Sequence, residues 1–468
     1  MNKFSNYLKK KKPLLKELLN TLLTKYDFVS ILGTDVKSTN FLANKSTSFI
    51  RNSSLTECGF VVRIQHNELF YEYSFNEINK KNINNLVNDI DNLIKNELFV
   101  KKIQSSKLEE ENLIKNFKRN QKGKNYNYDE IINILKDDVK YALSLGDNIR
   151  NVSVRIEFNE YSKIYLSSKK ELTQYYTWIN PGVNIMVARE DNIKYAYDFF
   201  GTNDADEAFS HLREIIDSTY KLAVELLDAT HPTPGIYTII TDPSITGLIA
   251  HEAFGHGLEM DQFVKDRAKG YEYMNKDVSS KILSMHDGAA STISAASYFF
   301  DDEGVLAQDT KIINKGILVG GICDSVSASI LNYHPTGNGR RESYKHKTYT
   351  RMTNTFFEKG KSTLDEMIKS VDYGYYIATT ENGMEDPKNW GIQCTALYGR
   401  EIKDGSFTGK IISPVVMSGY VIDLLMSISM ISKDNFTIEG SGSCGKGYKE
   451  WVRVSDGGAS IKAKVKIG

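Results

Sequence analysis

The sequence predicts an α+β (mixed α/β) fold with two domains, and three patterns support this prediction. The 468 residues are enough for two or three domains with large cores. Two similar segments in the first half each resemble a β-hairpin between helices, whereas most of the second half is typical of strands and turns. A proline-containing break at residues 231–235 separates the halves. We therefore predict an N-terminal α/β domain over 1–230 and a strand-rich C-terminal domain over 231–468 that carries a metal-site helix.

The first half predicts helices around a weak internal repeat. Charges interrupt the apolar residues near Pro13 at helical spacing, which indicates an amphipathic surface helix and not a signal peptide. Two hairpins with alternating aromatic residues follow, at 59–75 and 182–199. They place two repeat-like halves at about 1–100 and 126–230, although two unrelated hairpins remain an alternative.

Two further segments of the first half have distinct compositions. Residues 101–128 are rich in Lys, Glu and Asn with few apolar anchors, which favours a surface helix or loop. Residues 204–228 alternate apolar and charged residues at helical spacing, which predicts a long amphipathic helix.

The second half opens with a predicted strand at 236–240, followed by a helix start. Asp242 is a suitable N-cap and Pro243 suits the first helical position. The elements predicted beyond it are a hairpin at 310–319 and helices at 363–371 and 414–431.

The composition excludes several classes of protein. Net charge is zero, so bulk electrostatics indicate neither a nucleic-acid partner nor a membrane partner. The apolar run at 421–431 is too short to span a bilayer and contains Asp423. The cysteines are too widely spaced for a disulfide framework or a zinc ribbon. They are Cys58, Cys323, Cys394 and Cys444. We expect a cytoplasmic protein.

A His-Glu-x-x-x-His motif from His251 to His256 is the strongest functional signal. Imidazole is a common neutral zinc ligand, and a carboxylate such as Glu252 beside it can take a proton from a metal-bound water. With only eight histidines in the chain, the motif should arise by chance roughly 0.01 times. The motif therefore predicts a catalytic metal site.

The spacing of the two histidines constrains the local backbone. Ligands at i and i+5 lie about 140° apart around a regular α-helix, against about 40° for the more familiar i and i+4. The imidazoles converge only if the helix widens or stops near Gly255 and Gly257. We predict a helix that opens between Ala253 and Gly257.

A third ligand is needed, because catalytic zinc usually takes three protein ligands and a water. Cys444 is the candidate, since four glycines within 439–447 would let its backbone approach a buried metal closely. Lys446 would favour the thiolate that binds metal. The alternative is a small buried apolar residue.

Five segments together resemble the TldD/PmbA family of metalloproteases, and they occur in the family's order. They are 251–259, 300–304, 336–343, 351–355 and 442–446. The TldD branch carries His-Glu-x-x-x-His, whereas the PmbA (TldE) branch has lost it. This chain keeps the motif, so it resembles the catalytic branch.

The resemblance implies specific roles. His251, His256 and Cys444 match the family's zinc ligands, which implies one Zn²⁺ per chain, and Glu252 matches its general base. The implied substrates are unfolded or flexible peptides. The implied active site lies in a cavity enclosed by two subunits, in a homodimer or a heterodimer with a TldE-like subunit. This chain lacks the usual proline before Arg351 and the usual Gly-Gln step after Lys446.

Four further residues are candidates for substrate binding. Arg340 and Arg341 suit a grip on a substrate carboxylate or backbone, or equally a structural ion pair. The segment from Arg351 through Asn354 to Thr355 would be a strand that pairs with an extended peptide.

The remaining polar residues favour structural roles. Residues 301–303 are interpreted as an acidic turn in preference to a second metal site. His231, His286, His334 and His346 are interpreted as structural or exposed, and Cys58, Cys323 and Cys394 as plain core residues.

Three functional classes remain open. The first is a zinc-dependent endopeptidase, the second a zinc hydrolase of a non-peptide amide, and the third a non-catalytic partner or scaffold subunit.

Overall fold

The computed structural model of the protein describes residues 3–67, 69–95, 110–446 and 450–468. The helices are α1 (Asn6–Leu23), α2 (Ile83–Lys95), α3 (Tyr128–Ser144), α4 (Ala205–Leu226), α5 (Pro243–Ala250), α6 (Met260–Val264), α7 (Ser325–Leu331), α8 (Leu364–Lys369) and α9 (Val421–Met426). The strands are β1 (Phe28–Asn44), β2 (Ser48–Asn52), β3 (Glu57–His66), β4 (Leu69–Phe75), β5 (Leu113–Arg119), β6 (Ile149–Ser167), β7 (Lys170–Arg189), β8 (Asn192–Phe199), β9 (Gly235–Thr241), β10 (Met285–Asp287), β11 (Thr310–Asn314), β12 (Ile317–Leu318), β13 (Gly339–Arg340), β14 (Tyr349–Thr350), β15 (Asn354–Phe357), β16 (Tyr373–Asp386), β17 (Gly391–Lys403), β18 (Ser406–Ile412), β19 (Val415–Tyr420), β20 (Met430–Glu439), β21 (Ser443–Lys446), β22 (Glu450–Arg453) and β23 (Ser455–Ile467). This mixture confirms the predicted fold class.

The first sheet has a repeated topology. Its central strands β1 and β6 run antiparallel, and the order β4-β3-β1-β6-β7 continues to β8 through pairing with β7. Each central strand follows a helix (α1 or α3), and each half then contains a hairpin (β3–β4 or β7–β8) and a further helix (α2 or α4). Both predicted hairpins and the long helix after the second are confirmed, and the order of elements repeats as the two hairpins predicted.

The prediction of a surface helix or loop over residues 101–128 was wrong at Leu113–Arg119, whereas residues 110–112 and 120–127 lie outside helices and strands. Residues 101–109 lie outside the described residues, but β5 is a strand that runs parallel to β7. Its Phe117 stacks on Phe299 at a centroid distance of 5.1 Å. Pairing with a strand far along the chain and this aromatic contact outweigh the weak local pattern, which contains no signal of either.

The second sheet contains a closed circuit of strands. β9 pairs with β16 in parallel and with β23 antiparallel, so that β23, β19, β17, β16 and β9 close on themselves. Helix α5 packs against β23 at a close approach, because a Cβ atom on Gly247 would lie 2.3 Å from the backbone nitrogen of Gly457. The helix that precedes the histidines is therefore buried against the sheet.

Most predicted elements of the second half are confirmed. Strand β9 is present, and Asp242 caps α5 by accepting a hydrogen bond from the backbone N–H of Ile245 at 2.7 Å. The β11–β12 hairpin turns through Lys315 and Gly316, both with positive φ. Thr363 caps α8.

The predicted helix at 414–431 was wrong. The segment forms β19, then the short helix α9, and then the start of β20 at Met430. Val415 and Met417 are buried and Val416 is half-buried, which is the two-residue period of a strand. Pairing with β17 and β23 decides the outcome.

The two sheets divide the chain between residues 199 and 235. The boundary predicted near residue 230 falls in this interval, and the division into two domains stays a prediction. Among the described residues, no helix is long and apolar enough to cross a membrane.

Candidate metal centre

The helix that carries the first histidine opens at that residue. α5 ends at Ala250, and residues 251–255 form a π-helical turn in which the backbone N–H of His256 donates to the carbonyl of His251. A short 3₁₀ turn follows at 256–258. The two imidazole rings lie 5.2 Å apart, centroid to centroid, and are perpendicular. This geometry confirms that the helix opens, since an i→i+5 turn is what brings i and i+5 side chains together, but the opening begins two residues before the predicted Ala253.

Cys444 meets the two histidines. It lies on β21, which pairs with β22, and its Sγ is 3.4 Å from Nε2 of His256. The candidate ligand atoms of His251, His256 and Cys444 all lie within 4.8 Å of one another. Nδ1 of His251 is buried and has no hydrogen-bond partner in the described chain. Two imidazoles and a thiol form a donor set that suits Zn²⁺.

Contacts from Arg351 and from the first sheet fix the position of the cysteine loop. The guanidinium of Arg351 donates to the carbonyl of Cys444 at 2.6 Å. Earlier in the loop, the carbonyl of Gly440 accepts from Nε1 of Trp178 at 3.0 Å and from Nδ2 of Asn180 at 2.5 Å. Trp178 and Asn180 belong to β7, so the first sheet helps to position a ligand carried by the second half of the chain.

The three ligand candidates influence one another's protonation. Burial disfavours the thiolate of Cys444, but the neighbouring imidazoles outweigh this effect and hold its pKa well below the usual value. Burial likewise disfavours the protonated form of His251, but the Cys444 thiolate raises the pKa of His251 to about 9. A divalent cation bound here would replace protons that the site otherwise holds.

Lys446 has a different role from the one predicted. Its ammonium group donates to Glu259 at 3.0 Å and to Asp261 at 2.7 Å. The groups that favour the Cys444 thiolate are the two imidazoles and not this lysine. Lys446 therefore links the cysteine loop to the residues that follow the histidine motif.

Glu259 is a site residue that the sequence analysis did not identify. Its Oε2 lies 3.2 Å from Nδ1 of His256, which turns Nε2 of that ring towards Cys444. Burial raises the pKa of Glu259, but Lys446 and His256 outweigh it and lower the pKa to about 2. A carboxylate that accepts from the outer nitrogen of a metal-binding histidine fixes the ring's orientation. Its position three residues after His256 was the available signal.

We expect Glu259→Gln to weaken zinc binding by about 10- to 100-fold, because the amide is a poorer acceptor for the outer nitrogen of His256. Asp261→Asn is the matched control, since Asp261 also pairs with Lys446 but is not the hydrogen-bond partner of His256. Competition against a chromophoric chelator measures both affinities. Equal affinities in the two variants would show that Glu259 acts only through Lys446.

Glu252 lies between the three ligand candidates and β16. It is buried, and a Cβ atom on Gly383 would lie 2.5 Å from its Cγ, so only glycine permits this approach of the strand. Glu252 and the three ligand candidates line one cavity of about 1250 Å³. A carboxylate beside the metal ligands and open to this cavity is suitably placed to act as a base.

The four predicted substrate-binding residues have structural contacts instead, which corrects their assignment. Arg340 donates to the carbonyls of Met352 and Arg453, and Arg341 pairs with Glu72. Asn354 donates to the carbonyl of Gly288 and to Ser297 Oγ, while Arg351 holds the cysteine loop. In the described chain none of the four lines the cavity beside the metal ligands. Strand β15 also has both edges occupied, by β10 and β23, and so has no edge for a peptide.

Asp301 and His286, two of the other polar candidates, have structural partners as expected. Asp301 accepts from the backbone N–H groups of Glu303, Val305 and Gly339, as in an acidic turn. Among the described residues, the metal-binding group contains no histidine other than the two in the motif. His286 pairs with Asp309 and Glu358.

Proteins named as TldD homologs are similar to this chain in sequence. A zinc metalloprotease TldD homolog from Saccharolobus solfataricus is 29% identical over 359 residues, which is 74% of this chain and 77% of the relative. A metalloprotease TldD homolog from Buchnera aphidicola subsp. Schizaphis graminum is 34% identical over 280 residues, 58% of this chain and 56% of the relative. The second alignment thus spans little more than half of that relative.

Solved structures share the fold. TldE from Thermococcus kodakarensis superposes with a TM-score of 0.75 at 16% identity, covering 97% of this chain and 100% of that chain. A protein described as a modulator of DNA gyrase, from Thermotoga maritima, gives a TM-score of 0.77 at 15% identity, with 98% and 100% coverage. The model of the PmbA/TldA metallopeptidase C-terminal domain matches residues 234–464, the part that holds the three ligand candidates. Together with the TldD relatives, this family model shows that the chain belongs to the PmbA/TldD family of metallopeptidases.

Proposed function

We propose that the protein is a zinc-dependent endopeptidase that cleaves unfolded or flexible peptides. The observation that carries the proposal is the convergence of His251, His256 and Cys444 beside Glu252 on one cavity wall. The TldD relative from Saccharolobus solfataricus, which is named a zinc metalloprotease, supports the choice of metal.

The proposed reaction assigns one role to each site residue. One Zn²⁺ per chain, held by the two imidazoles and the thiolate, would lower the pKa of a bound water and polarise the scissile carbonyl. Glu252 takes the proton from the attacking water and passes it to the leaving amine. Glu259 keeps the ring of His256 in its ligating orientation.

The shape of the cavity supports an extended peptide as substrate. Residues 380–386 of β16 pair with β17 on one edge, whereas β9 covers the other edge only at Gly374–Ile377. Among the described strands, none pairs with the other edge of 380–386, part of which lines the cavity. An extended peptide can add to such an edge through backbone hydrogen bonds, and only unfolded or flexible segments can adopt that form.

A second subunit would complete the cavity, either another copy of this chain or a TldE-like subunit. The likeness in fold to TldE supports this proposal. So do the exposed side chains of Met384 and Trp451, 57% and 51% accessible, which line the cavity. The described cysteines are all free, which fits the reducing cytoplasm as the place of action.

The proposal is tested by measuring metal content and cleavage of casein by the purified protein. We expect one zinc per chain and cleavage that a chelator abolishes. Zinc without cleavage would indicate a missing partner or a narrow substrate range. Hydrolysis of a non-peptide amide but not of casein would favour the second functional class, and carefully handled protein without metal would favour the scaffold class.

A further inference from the structure

Glu385 carries a buried carboxylate that the proposed reaction does not use. Both of its carboxylate oxygens are buried, and neither has a hydrogen-bond partner in the described part of the chain. Burying an unpaired carboxylate is costly, so a partner of opposite charge would stabilise this group.

The position of Glu385 places this carboxylate at the metal centre. Side chains alternate along a strand, so Gly383 and Glu385 of β16 face the same side, where Gly383 packs against Glu252. Oε1 of Glu385 lies 2.8 Å from the position of a Cβ atom on Gly257, the residue that follows His256. Glu385 also lines the cavity shared by the metal ligands.

Acidic side chains outnumber basic side chains in the lining of the cavity. Eight carboxylate side chains line it, against three lysine or arginine side chains. Two of the three cations are already paired, Arg400 with Glu225 and Lys446 with Glu259 and Asp261. A cavity lined mainly by one sign of charge concentrates ligands of the opposite sign.

We propose that Glu385 binds a cationic group of the peptide substrate next to the metal centre, and that the enzyme therefore prefers peptides with a positive charge there. This inference rests on the proposed peptidase function. A lysine or arginine side chain and a free N-terminal ammonium group both make charge-assisted hydrogen bonds to a carboxylate. A peptide alongside β16 would direct alternate side chains to the face that carries Glu385.

Cleavage of matched peptides tests the preference. The set consists of one quenched fluorescent peptide with a central lysine, the same peptide with norleucine, and the same peptide with glutamate, each with a free or an acetylated N-terminus. We expect a lysine-to-norleucine ratio in kcat/KM of about 10 or more for the wild type, and a ratio near 1 for Glu385→Gln. If acetylation of the N-terminus lowers kcat/KM and replacement of the lysine does not, the N-terminal ammonium group is the cation that Glu385 binds.

Two further variants separate a specific contact from a general charge effect. Glu381→Gln removes a carboxylate from the same strand, but Glu381 is exposed and accepts a hydrogen bond from Tyr195, so the preference for lysine should persist. Glu385→Lys should shift the preference towards the glutamate peptide. A lysine preference that survives in Glu385→Gln would overturn the proposal.

Binding measured without cleavage separates this inference from the peptidase proposal. Fluorescence anisotropy on zinc-loaded Glu252→Gln should show about tenfold tighter binding of the lysine peptide than of the norleucine peptide. This difference in affinity should decrease as the salt concentration rises. Adding Glu385→Gln should make the two affinities equal. If Glu252→Gln binds the lysine and norleucine peptides with equal affinity, the cation site is wrong. If binding depends on lysine but the wild type cleaves no peptide, the peptidase proposal is wrong and the cation site is still supported.

Discussion

Glu252→Gln is expected to keep its zinc and lose at least about 100-fold in kcat on casein, the scale typical of a removed general base. Glutamine has the same size as glutamate, so it fits the space between the metal ligands and Gly383. Its amide cannot take the proton from water. The ligand atoms of His251, His256 and Cys444 are left unchanged, so metal content should stay at the wild-type level.

The measurement needs zinc content and rate on the same preparation. Glu214→Gln is the matched control, because it makes the same chemical change at an exposed residue of α4 that does not line the cavity. We expect that control to cleave casein at close to the wild-type rate. Near-normal cleavage by Glu252→Gln would remove Glu252 from the reaction, and loss of zinc would make it part of the metal site.

The convergence of the two motif histidines was predictable because the constraint that produces it is local. Two imidazoles at i and i+5 converge only if the helix widens, and the turn at 251–255 does so. The hairpins of the first sheet were also predictable, since alternating aromatic residues and a polar turn are adjacent in sequence.

The errors concern residues whose partners are far along the chain. Arg351 is a positive side chain in a motif, but its acceptor is the carbonyl of Cys444, 93 residues later. No local pattern distinguishes this buried role from one in substrate binding. β5 and the segment at 414–431 became strands because distant strands pair with them. The position of Glu385 could not be predicted for the same reason. Only the fold brings this residue beside Gly257.

Cys444→Ser is expected to weaken zinc binding by more than about 100-fold and to abolish cleavage with it, a larger effect than removal of a residue that only orients a ligand. A serine hydroxyl does not ionise near neutral pH, so the site loses its only anionic ligand and keeps two neutral imidazoles. The neighbouring imidazoles that favour the thiolate of Cys444 cannot have the same effect on serine.

Comparison of three variants assigns the ligand. Cys58→Ser is the matched control, because Cys58 is half-buried in β3 and lies outside the metal-binding group found among the described residues. It should retain zinc and activity. Glu252→Gln should retain zinc without activity, whereas Cys444→Ser should lose both, because one residue serves the reaction and the other serves the metal. Equal zinc content in Cys444→Ser and Glu252→Gln would contradict the assignment of Cys444 as a ligand, and the metal would then depend on the two histidines and a group other than this thiolate.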